Sequence, residues 1–486
     1  MATGANEAEA VTALGRFGLG ARPGDLRAAA ADPRGFLIEE LRTANIALIS
    51  GGGLPSCPAA LQAYYAERQQ KRAERAKMAA MEQARQSAAA AVDPPAVTPV
   101  SAPAMAPPAP PPPPQPPVEL TLFRNEAQTR LHKQLAAPAG FVERMVAFWS
   151  NHFAVSVAKS GDLRAAAGPF EREAIRPNIL GRFSALLIAA ETHPAMILFL
   201  DNQRSIGPNA AAGRFAGFGL NENLGREILE LHTLGVGSGY KQTDVTELSR
   251  ALTGWSVAEA GSESGVPGAF AFKPNWHEPG ERALLGKHYA APGVEQGREA
   301  LEDLARHPAT ARHVATKLAR HFVADDPSPG LADALARRFE ESDGDLKAVA
   351  EALVGDDRAW SAKPSKARSP LEFYVAAARA TGFSPSDPGP YLQALNLLGM
   401  PLWQPTGPNG FSDSSETWTS PEAMKLRLDL AAMIGSRMRG RAEPLDIMSA
   451  ALGDTASLET RQAIERAESR DQALALLFMS PEFQRR

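Results

Sequence analysis

The segment NENLGREILELHTLG concentrates polar side chains beside a strong apolar pattern. At about 100° per residue, helical spacing places Asn223, Glu227 and Glu230 on one stripe, with Arg226 close to it. Two carboxylates one helical turn apart can act as general acid and base, or can bind a divalent cation through their oxygens. We therefore expect both glutamates to be catalytic, with Asn223 assisting and Arg226 contacting substrate. The structural alternative is that the carboxylates pair with basic residues and lock helices together.

The elements around this stripe follow from the same periodicity. Leu224, Ile228 and Leu231 should face the core, which puts the polar stripe at the edge of the buried face and His232 almost opposite it. Gly235 should end the helix, because glycine readily adopts the left-handed conformation that follows many helices. The sequence thus predicts a candidate working edge on one short helix.

A second group of chemically competent side chains lies in FWSNHF. Trp149, Asn151 and His152 combine an aromatic wall, an amide and an imidazole that titrates near neutral pH. We expect His152 to be catalytic beside the glutamates, and Trp149 and Asn151 to contact substrate. The alternative for His152 is a hydrogen-bonded core histidine. One histidine does not establish a metal site, and the chain has no HExxH motif, so no residue is assigned as a metal ligand.

Three further side chains could shape a substrate cleft. His277 lies in NWHEPGE, at the expected turn of a β-hairpin, where its imidazole could reach substrate or could be structural. Asp413 and Trp418 lie in the turn-rich segment PNGFSDSSETW. A loop of this kind can stack a tryptophan on a sugar face and hydrogen-bond the sugar's hydroxyls. All three are therefore expected to bind substrate.

Composition excludes several classes of protein. A formal net charge of -4 over 486 residues lacks the basic footprint of a dedicated nucleic-acid binder. Cys57 is the only cysteine, which rules out an intramolecular disulfide framework and a cysteine-based zinc site. The sequence has no Walker A, GxSxG or EF-hand pattern, and no GxGxxG at a strand-to-helix turn. NAD, ATP-loop and serine-esterase chemistry are therefore disfavoured.

Membrane targeting is not indicated by the sequence. The amino-terminal residues contain no basic cluster ahead of an apolar run, and no stretch of about 18 apolar residues occurs anywhere. We therefore expect no export signal, no transmembrane segment and a cytoplasmic protein.

Prolines and charges divide the chain. Asp93 to Pro117 holds 13 of the 40 prolines, so this segment is expected to be a disordered, flexible insert. The charged stretch from Tyr64 to Ala91 before it predicts a solvated helix. We expect N-terminal helices in 1–60 that pack on the main body, the charged helix and Pro-rich insert in 61–118, and a main helical domain in 119–486 that carries the site.

The expected fold class is mainly α, a multi-helix globular body with a small β-hairpin element. Alternating aromatics and turn residues place the hairpin within Ala269 to Tyr289. Helical spacing predicts a helix from Phe141 to Phe153. Further helices are expected at Pro308–Val323, Gly330–Glu341, Leu346–Val354, Pro370–Ala380, Pro421–Met438 and Arg461–Phe478.

Six motifs together carry a family resemblance. In chain order they are FWSNHFAVS, THPAMILFLDN, NENLGREILELHTLGVGSGYKQTDVTELSRALTGW, HEPGERALLG, HPATARHVATKLARHFVADDP and PNGFSDSSETW. They closely resemble the bacterial family catalogued as domain of unknown function 1800, over the whole chain except the charged and Pro-rich insert. The resemblance implies no particular reaction. Members are often exported and often encoded beside a family similar to phosphatases or sulfatases, which implies envelope or glycan biology, but this chain departs from the exported pattern at its amino terminus.

Two functions from different classes fit these observations. The first is a hydrolase or lyase that acts on a glycan or envelope-related compound through the carboxylate and histidine cluster. The second is a non-enzymatic helical scaffold, or assembly partner of a hydrolase-like protein. The expected ligand is a glycan or another small molecule, and a divalent cation is the one cofactor that the carboxylates suggest.

Overall fold

The computed structural model describes residues 2–49, 53–90, 115–213, 219–261, 265–361, 363–438 and 443–486, with side chains from residue 6 onward and without those of 88–90. Within these ranges the chain is mainly α-helical with two small antiparallel sheets, which confirms the expected fold class. The Pro-rich segment from Asp93 to Pro117 lies outside the described residues except for residues 115–117. Among the described helices, none has the length and apolar character needed to span a bilayer.

The amino-terminal part contains the helices α1 (Ala2–Thr12), α2 (Asp25–Ala29), α3 (Pro33–Arg42) and α4 (Cys57–Ala90). The charged helix expected from Tyr64 is α4, which begins earlier because Cys57 and Leu61 are buried in the core. From Arg68 to Ser87 its side chains are exposed. The backbone N–H of Val118 donates to Glu67 Oε2 at 3.0 Å, so the next helix begins beside the point at which α4 leaves the body.

The central part contains α5 (Val118–Ala136), α6 (Phe141–His152), α7 (Gly161–Phe170), α8 (Phe183–Glu191), α9 (Pro194–Phe199), α10 (Asn223–Glu227) and α11 (Gln242–Ala251). Three π-helical turns, in which hydrogen bonds run from residue i to i+5, extend α1, α7 and α10. They cover Ala13–Phe17, Glu171–Ile175 and Ile228–His232. Short 3₁₀ turns occur at Asn202–Arg204, Pro274–Trp276 and Gly453–Thr455.

The β structure consists of two antiparallel pairs. They are formed by β1 (Trp255–Val257) with β2 (Phe270–Phe272), and by β3 (Arg282–Leu284) with β4 (Lys287–Tyr289). The hairpin expected within Ala269 to Tyr289 is found, and it is formed by β3 and β4. Its turn residues Leu285 and Gly286 both have positive φ, whereas β2, which also lies in this range, pairs with the earlier strand β1.

The remaining helices are α12 (Val294–Arg306), α13 (Pro308–Phe322), α14 (Pro329–Glu341), α15 (Leu346–Gly355), α16 (Asp357–Ser361), α17 (Pro370–Thr381), α18 (Gly389–Leu397), α19 (Ser415–Trp418), α20 (Pro421–Arg437), α21 (Pro444–Leu452), α22 (Leu458–Glu465), α23 (Arg470–Met479) and α24 (Pro481–Gln484). The six expected helices are found within one residue at each end, except the last. The helix expected over Arg461 to Phe478 is two helices, because Ser469 caps α23 by accepting a hydrogen bond from the N–H of Gln472.

Two hydrophobic cores hold these helices together. The first gathers side chains of α6, α8, α10 and α13, including Phe141, Leu186 and Ile228. The second gathers side chains of α17, α18, α20, α21 and α23. Trp403 packs against both cores, so the connection between α18 and α19 runs along their boundary. The candidate glutamates lie at the edge of the first core. The division of the chain into parts at residues 60 and 118 stays a prediction.

Candidate functional site

The helix that carries the candidate glutamates changes its winding at Glu227. The α-helical part ends there, and the π-helical turn Ile228–His232 follows. A π-helical turn contains more residues than the roughly 3.6 of an α-helical turn, so the side chains after Glu227 are rotated about the helix axis. Leu229 and His232 are buried as a result, while Leu231 is only half-buried. The expectation that Leu231 faces the core is therefore wrong, whereas the orientation of His232 away from the polar stripe stays a prediction that fits its burial.

Glu227 and Glu230 have different surroundings. Glu230 lies 3.5 Å from the guanidinium of Arg226, and the phenol of Tyr240 lies against it. Glu227 is half-buried and makes no hydrogen bond or ion pair with any described residue. Burial, more than the neighbouring charges, raises the pKa of the Glu227 carboxyl. The structural alternative of two ion-paired glutamates thus fits Glu230 but not Glu227.

Glu222, which the sequence reasoning passed over, performs the helix-locking role. Its carboxylate accepts hydrogen bonds from Thr246 Oγ1 at 2.7 Å, Gln242 Nε2 at 2.8 Å and Arg226 Nη2 at 3.1 Å. The hydroxyl of Thr246 contributes most to lowering the pKa of Glu222. These contacts fasten α10 to α11. The side chain of Asn223 is exposed beside them.

His152 is buried and faces the end of the π-helical turn. Its Nε2 lies 3.1 Å from the carbonyl oxygen of His232, and its Nδ1 lies 2.9 Å from Lys317 Nζ. His313 Nε2 lies 3.0 Å from the carbonyl oxygen of Leu231. Carbonyls at a helix end lack partners within the helix, so the two imidazoles satisfy them as donors. Burial first, and then Lys317, lowers the pKa of His152, which keeps it neutral for this role.

A buried acid-imidazole contact lies behind Glu227. Glu191 Oε1 and His232 Nδ1 are 2.7 Å apart and both side chains are fully buried. The two atoms are close but not aligned for a hydrogen bond, so both carboxylate oxygens of Glu191 and both ring nitrogens of His232 lack a hydrogen-bond partner among the described residues. Of the charges near Glu227, that of His232 has the largest effect on its pKa and lowers it. The one sequence signal for Glu191 was a lone acid in the apolar helix FSALLIAAE.

Lys317 connects this group to the segment PNGFSDSSETW. Burial is the main cause that lowers the pKa of Lys317 to about 8, while Asp413 opposes it. Asp413 lies 3.0 Å from His321 Nδ1 and 3.6 Å from Lys366 Nζ. Burial alone would raise the pKa of Asp413, but the contact with the His321 imidazole and the charge of Lys366 hold it below its ordinary value. Asp413 is thus already paired within the protein.

The predicted aromatic contacts face inward. Trp149 is fully buried, and Trp418 is 7% exposed with Nε1 donating to the carbonyl oxygen of Ser412 at 3.0 Å. Neither indole presents a face on which a sugar could stack. His277 Nδ1 lies 3.0 Å from the carbonyl oxygen of Thr253, and burial lowers its pKa. His277 therefore anchors the segment between β2 and β3.

Asn151 follows Ser150 on α6 and contacts a different part of the protein from His152, the next residue. Its amide donates to the carbonyl oxygen of Phe411 at 3.0 Å and accepts from the Phe411 N–H at 2.7 Å. Asn151 also lines a small cavity of about 60 Å³, the space of a few water molecules, together with Glu171 and Trp403. The amide thus fastens the loop before α19 and does not approach Glu227.

The structure brings together only part of the expected site. Asn223, Arg226, Glu227 and Glu230 share one helix, and His152 lies at its carboxyl end. Among the described residues, no group of three or more His, Cys, Asp or Glu side chains is arranged to hold a metal ion. The arrangement can exchange a proton through Glu227, with Glu230 and Arg226 as a charged, hydrogen-bonding edge beside it.

Comparison with known proteins gives one match. The family described as "Protein of unknown function (DUF1800)" matches residues 12–485. The comparisons with curated proteins and with solved structures found no significant match.

Proposed function

The chain belongs to the DUF1800 family of proteins of unknown function, and from that premise we propose that it is a hydrolase or lyase in which Glu227 is the general acid or base. The proposed substrate is a glycan or a related envelope compound. The observation that carries the proposal is the half-buried carboxylate of Glu227, which has no partner among the described residues. Structural carboxylates at such burial are normally paired or hydrogen-bonded.

The surroundings of Glu227 support proton exchange. A carboxyl whose pKa is raised by burial is protonated closer to neutral pH and can donate its proton to a leaving group. Arg226, Glu230 and the exposed Asn223 offer charged and amide groups that can hydrogen-bond the hydroxyls of a substrate. The buried neighbours His232 and Glu191 act on this carboxyl in opposite directions, since His232 lowers its pKa and Glu191 raises it.

The test measures turnover by the full chain on 4-nitrophenyl glycosides, phosphate monoesters and carboxylate esters. If Glu227 exchanges the proton, Glu227→Gln should lower kcat by about 10²- to 10⁴-fold with little change in KM. Glu299→Gln is the control, because this glutamate is exposed on α12 and takes no part in the candidate site, and it should keep kcat within about twofold. Equal turnover in the Glu227→Gln variant, or no turnover by wild type in any of the three classes, contradicts the proposal.

A second function, an assembly partner of a hydrolase-like protein, is favoured by one observation. The side chains of α4 from Arg68 to Ser87 are exposed, and Arg68, Lys71, Arg72 and Arg75 form a basic stripe at helical spacing. An acidic partner surface would complement this stripe. Titrating the purified partner should then give a complex that the triple variant Lys71→Glu/Arg72→Glu/Arg75→Glu abolishes and that Glu227→Gln preserves. Retention of the complex in the triple variant would remove this candidate.

A further inference from the structure

A cavity of about 500 Å³ lies where the amino-terminal helix α1 and its π-helical turn meet the last segment of the chain. It is far in sequence from the candidate glutamates and is lined by none of them. Four arginines line it, Arg16, Arg368, Arg485 and Arg486, and its other walls include the apolar side chains of Val11 and Leu452. The size is in the range of small-molecule sites, and the lining joins positive charge to apolar surface.

Arg368 is the most unusual of these side chains. It is 5% exposed, and its Nε donates to the carbonyl oxygen of Phe483 at 2.8 Å. Its Nη1 is buried without a hydrogen-bond partner, and no described residue pairs with Nη2. A buried guanidinium normally has a carboxylate or several acceptors, because desolvating it unpaired is costly. Arg368 therefore has donor capacity that the described residues do not use.

The charge around Arg368 is also unbalanced. Arg144 and Arg486 both pair with Glu372, at 2.9 and 3.0 Å. Arg427 is buried and donates to the side-chain oxygen of Gln484 and to the backbone oxygen of Arg368, with no carboxylate within 4 Å among the described residues. For these four buried guanidiniums, Glu372 is the one carboxylate among the described residues that forms an ion pair within 4 Å. Burial first, opposed by Glu372 and aided by the neighbouring arginines, lowers the pKa of Arg368 to about 10.

Glu482 does not correct this imbalance. Its carboxylate also lines the cavity, but it accepts hydrogen bonds from the Ser457 N–H at 3.0 Å and from Thr460 Oγ1. Arg485 is exposed at the cavity without an ion-pair partner among the described residues. An anion that entered would therefore meet Arg485 first and Arg368 deeper in.

We propose that this cavity binds a small organic anion, a carboxylate or phosphate group attached to an apolar body. Arg368 would hold the anion through Nη2, which lies beside Gly15 in the cavity wall and has no partner among the described residues, since guanidinium N–H groups bind both carboxylates and phosphates. Val11 and Leu452 would cover the apolar body. This site is independent of the proposed reaction at Glu227.

The test is calorimetric titration of the full chain with octanoate, octyl phosphate, 1-octanol and inorganic phosphate. Saturable binding of octanoate or octyl phosphate, at least about tenfold tighter than 1-octanol and inorganic phosphate, is the expected result. Whichever of the two amphiphiles binds more tightly identifies the anionic group. Binding of 1-octanol as tight as that of the anions, or inorganic phosphate as tight as octyl phosphate, would overturn the proposal, as would absence of saturable binding.

Variants separate the site from its surroundings. Arg368→Gln, and Arg485→Gln at the exposed position, should each raise the Kd of the amphiphile by about tenfold or more. Arg466→Gln is the control matched to Arg485→Gln, because Arg466 is also exposed but does not line the cavity, and it should leave Kd within about twofold. Because Arg485 is exposed, its variant tests the site even if Arg368→Gln does not fold. An unchanged Kd in Arg485→Gln contradicts the proposal.

Discussion

The π-helical turns at Glu171–Ile175 and Ile228–His232 each have a glutamate at or directly before their first residue, and the two glutamates are treated in opposite ways. Glu171 is fully buried, and Arg130 and Arg176 hold its pKa below the ordinary value although burial alone would raise it. Glu227 is half-buried, lacks such partners, and has a raised pKa. The backbone feature is the same, so the difference in pKa comes from the cations beside Glu171, which are Arg130 on α5 and Arg176 at the end of the same π-helical turn.

The comparison separates a locked carboxylate from one available for chemistry. Glu171 also accepts hydrogen bonds from Ser150 Oγ at 3.2 Å and Trp403 Nε1 at 3.1 Å, so its bonding capacity is used within the protein. By contrast, no described residue forms a hydrogen bond or ion pair with the Glu227 carboxylate. A perturbed pKa therefore indicates a functional candidate only when the group also lacks structural partners.

The largest effect is expected from Glu171→Gln. This change leaves Arg130 and Arg176 buried with one carboxylate fewer, so the free energy of unfolding at pH 7 should fall by about 3–5 kcal/mol. Urea unfolding followed by circular dichroism measures it. Since the folded-state pKa of Glu171 lies below its unfolded value, the wild-type advantage should be present above about pH 4.5 and shrink as pH falls through the folded-state pKa. A loss below about 1 kcal/mol would show that Glu171 is not locked.

An intermediate effect is expected from His152→Phe. This variant tests whether the π-helical turn Ile228–His232 is held in place at its carboxyl end. The change leaves the His232 carbonyl and Lys317 Nζ without their partner in a buried place, so the free energy of unfolding should fall by about 1–3 kcal/mol. The same measurement on His313→Phe, which removes the donor to the Leu231 carbonyl at a half-buried position, should give a smaller loss. If His152→Phe instead abolished turnover without loss of stability, His152 would be catalytic as the sequence suggested.

The smallest effect, with the opposite sign, is expected from Glu227→Gln. A carboxyl with a raised folded-state pKa stabilises the fold below its unfolded pKa, near 4.5, and this contribution is lost as pH rises through the folded-state pKa. The glutamine side chain does not titrate, so Glu227→Gln has no such loss. Between pH 4 and pH 8 the free energy of unfolding of the variant should therefore rise by up to about 1 kcal/mol relative to that of wild type. Thermal unfolding across this range measures the gain. A variant less stable at pH 8 than wild type would place Glu227 with the locked carboxylates.

Sequence spacing was sufficient for the helices and insufficient for the site. Pro308, Pro370 and Pro421 mark helix starts by local chemistry, which is why α13, α17 and α20 were predicted closely. The residues Ile228 to His232 can be wound with either i+4 or i+5 hydrogen bonds, and only packing decides between them. The assumption of about 100° per residue therefore misplaced Leu231, which is half-buried instead of facing the core.

The partners of the site residues were beyond sequence reasoning for a different reason. His152 meets Lys317, which is 165 positions away in the chain, and nothing local to FWSNHF indicates that contact. Glu191 reaches His232 from the end of α8 in the same way. Trp418 was expected to stack on substrate from its residue type alone, and its burial depends on the fold around it. Residue type and spacing can nominate groups, whereas long-range packing assigns their roles.

The hydrogen bond between the Val118 N–H and Glu67 Oε2 makes the intervening chain a closed excursion. Glu67 and Val118 are in contact, and the described side chains from Arg68 to Ser87 are exposed, so the number of residues between Glu67 and Val118 can vary without moving α5. Evolution can lengthen, shorten or recompose such an excursion while the helices on either side keep their positions. The same point is where an experimenter can exchange these residues for a short Gly-Ser bridge, or insert a reporter domain, and keep the fold that carries Glu227.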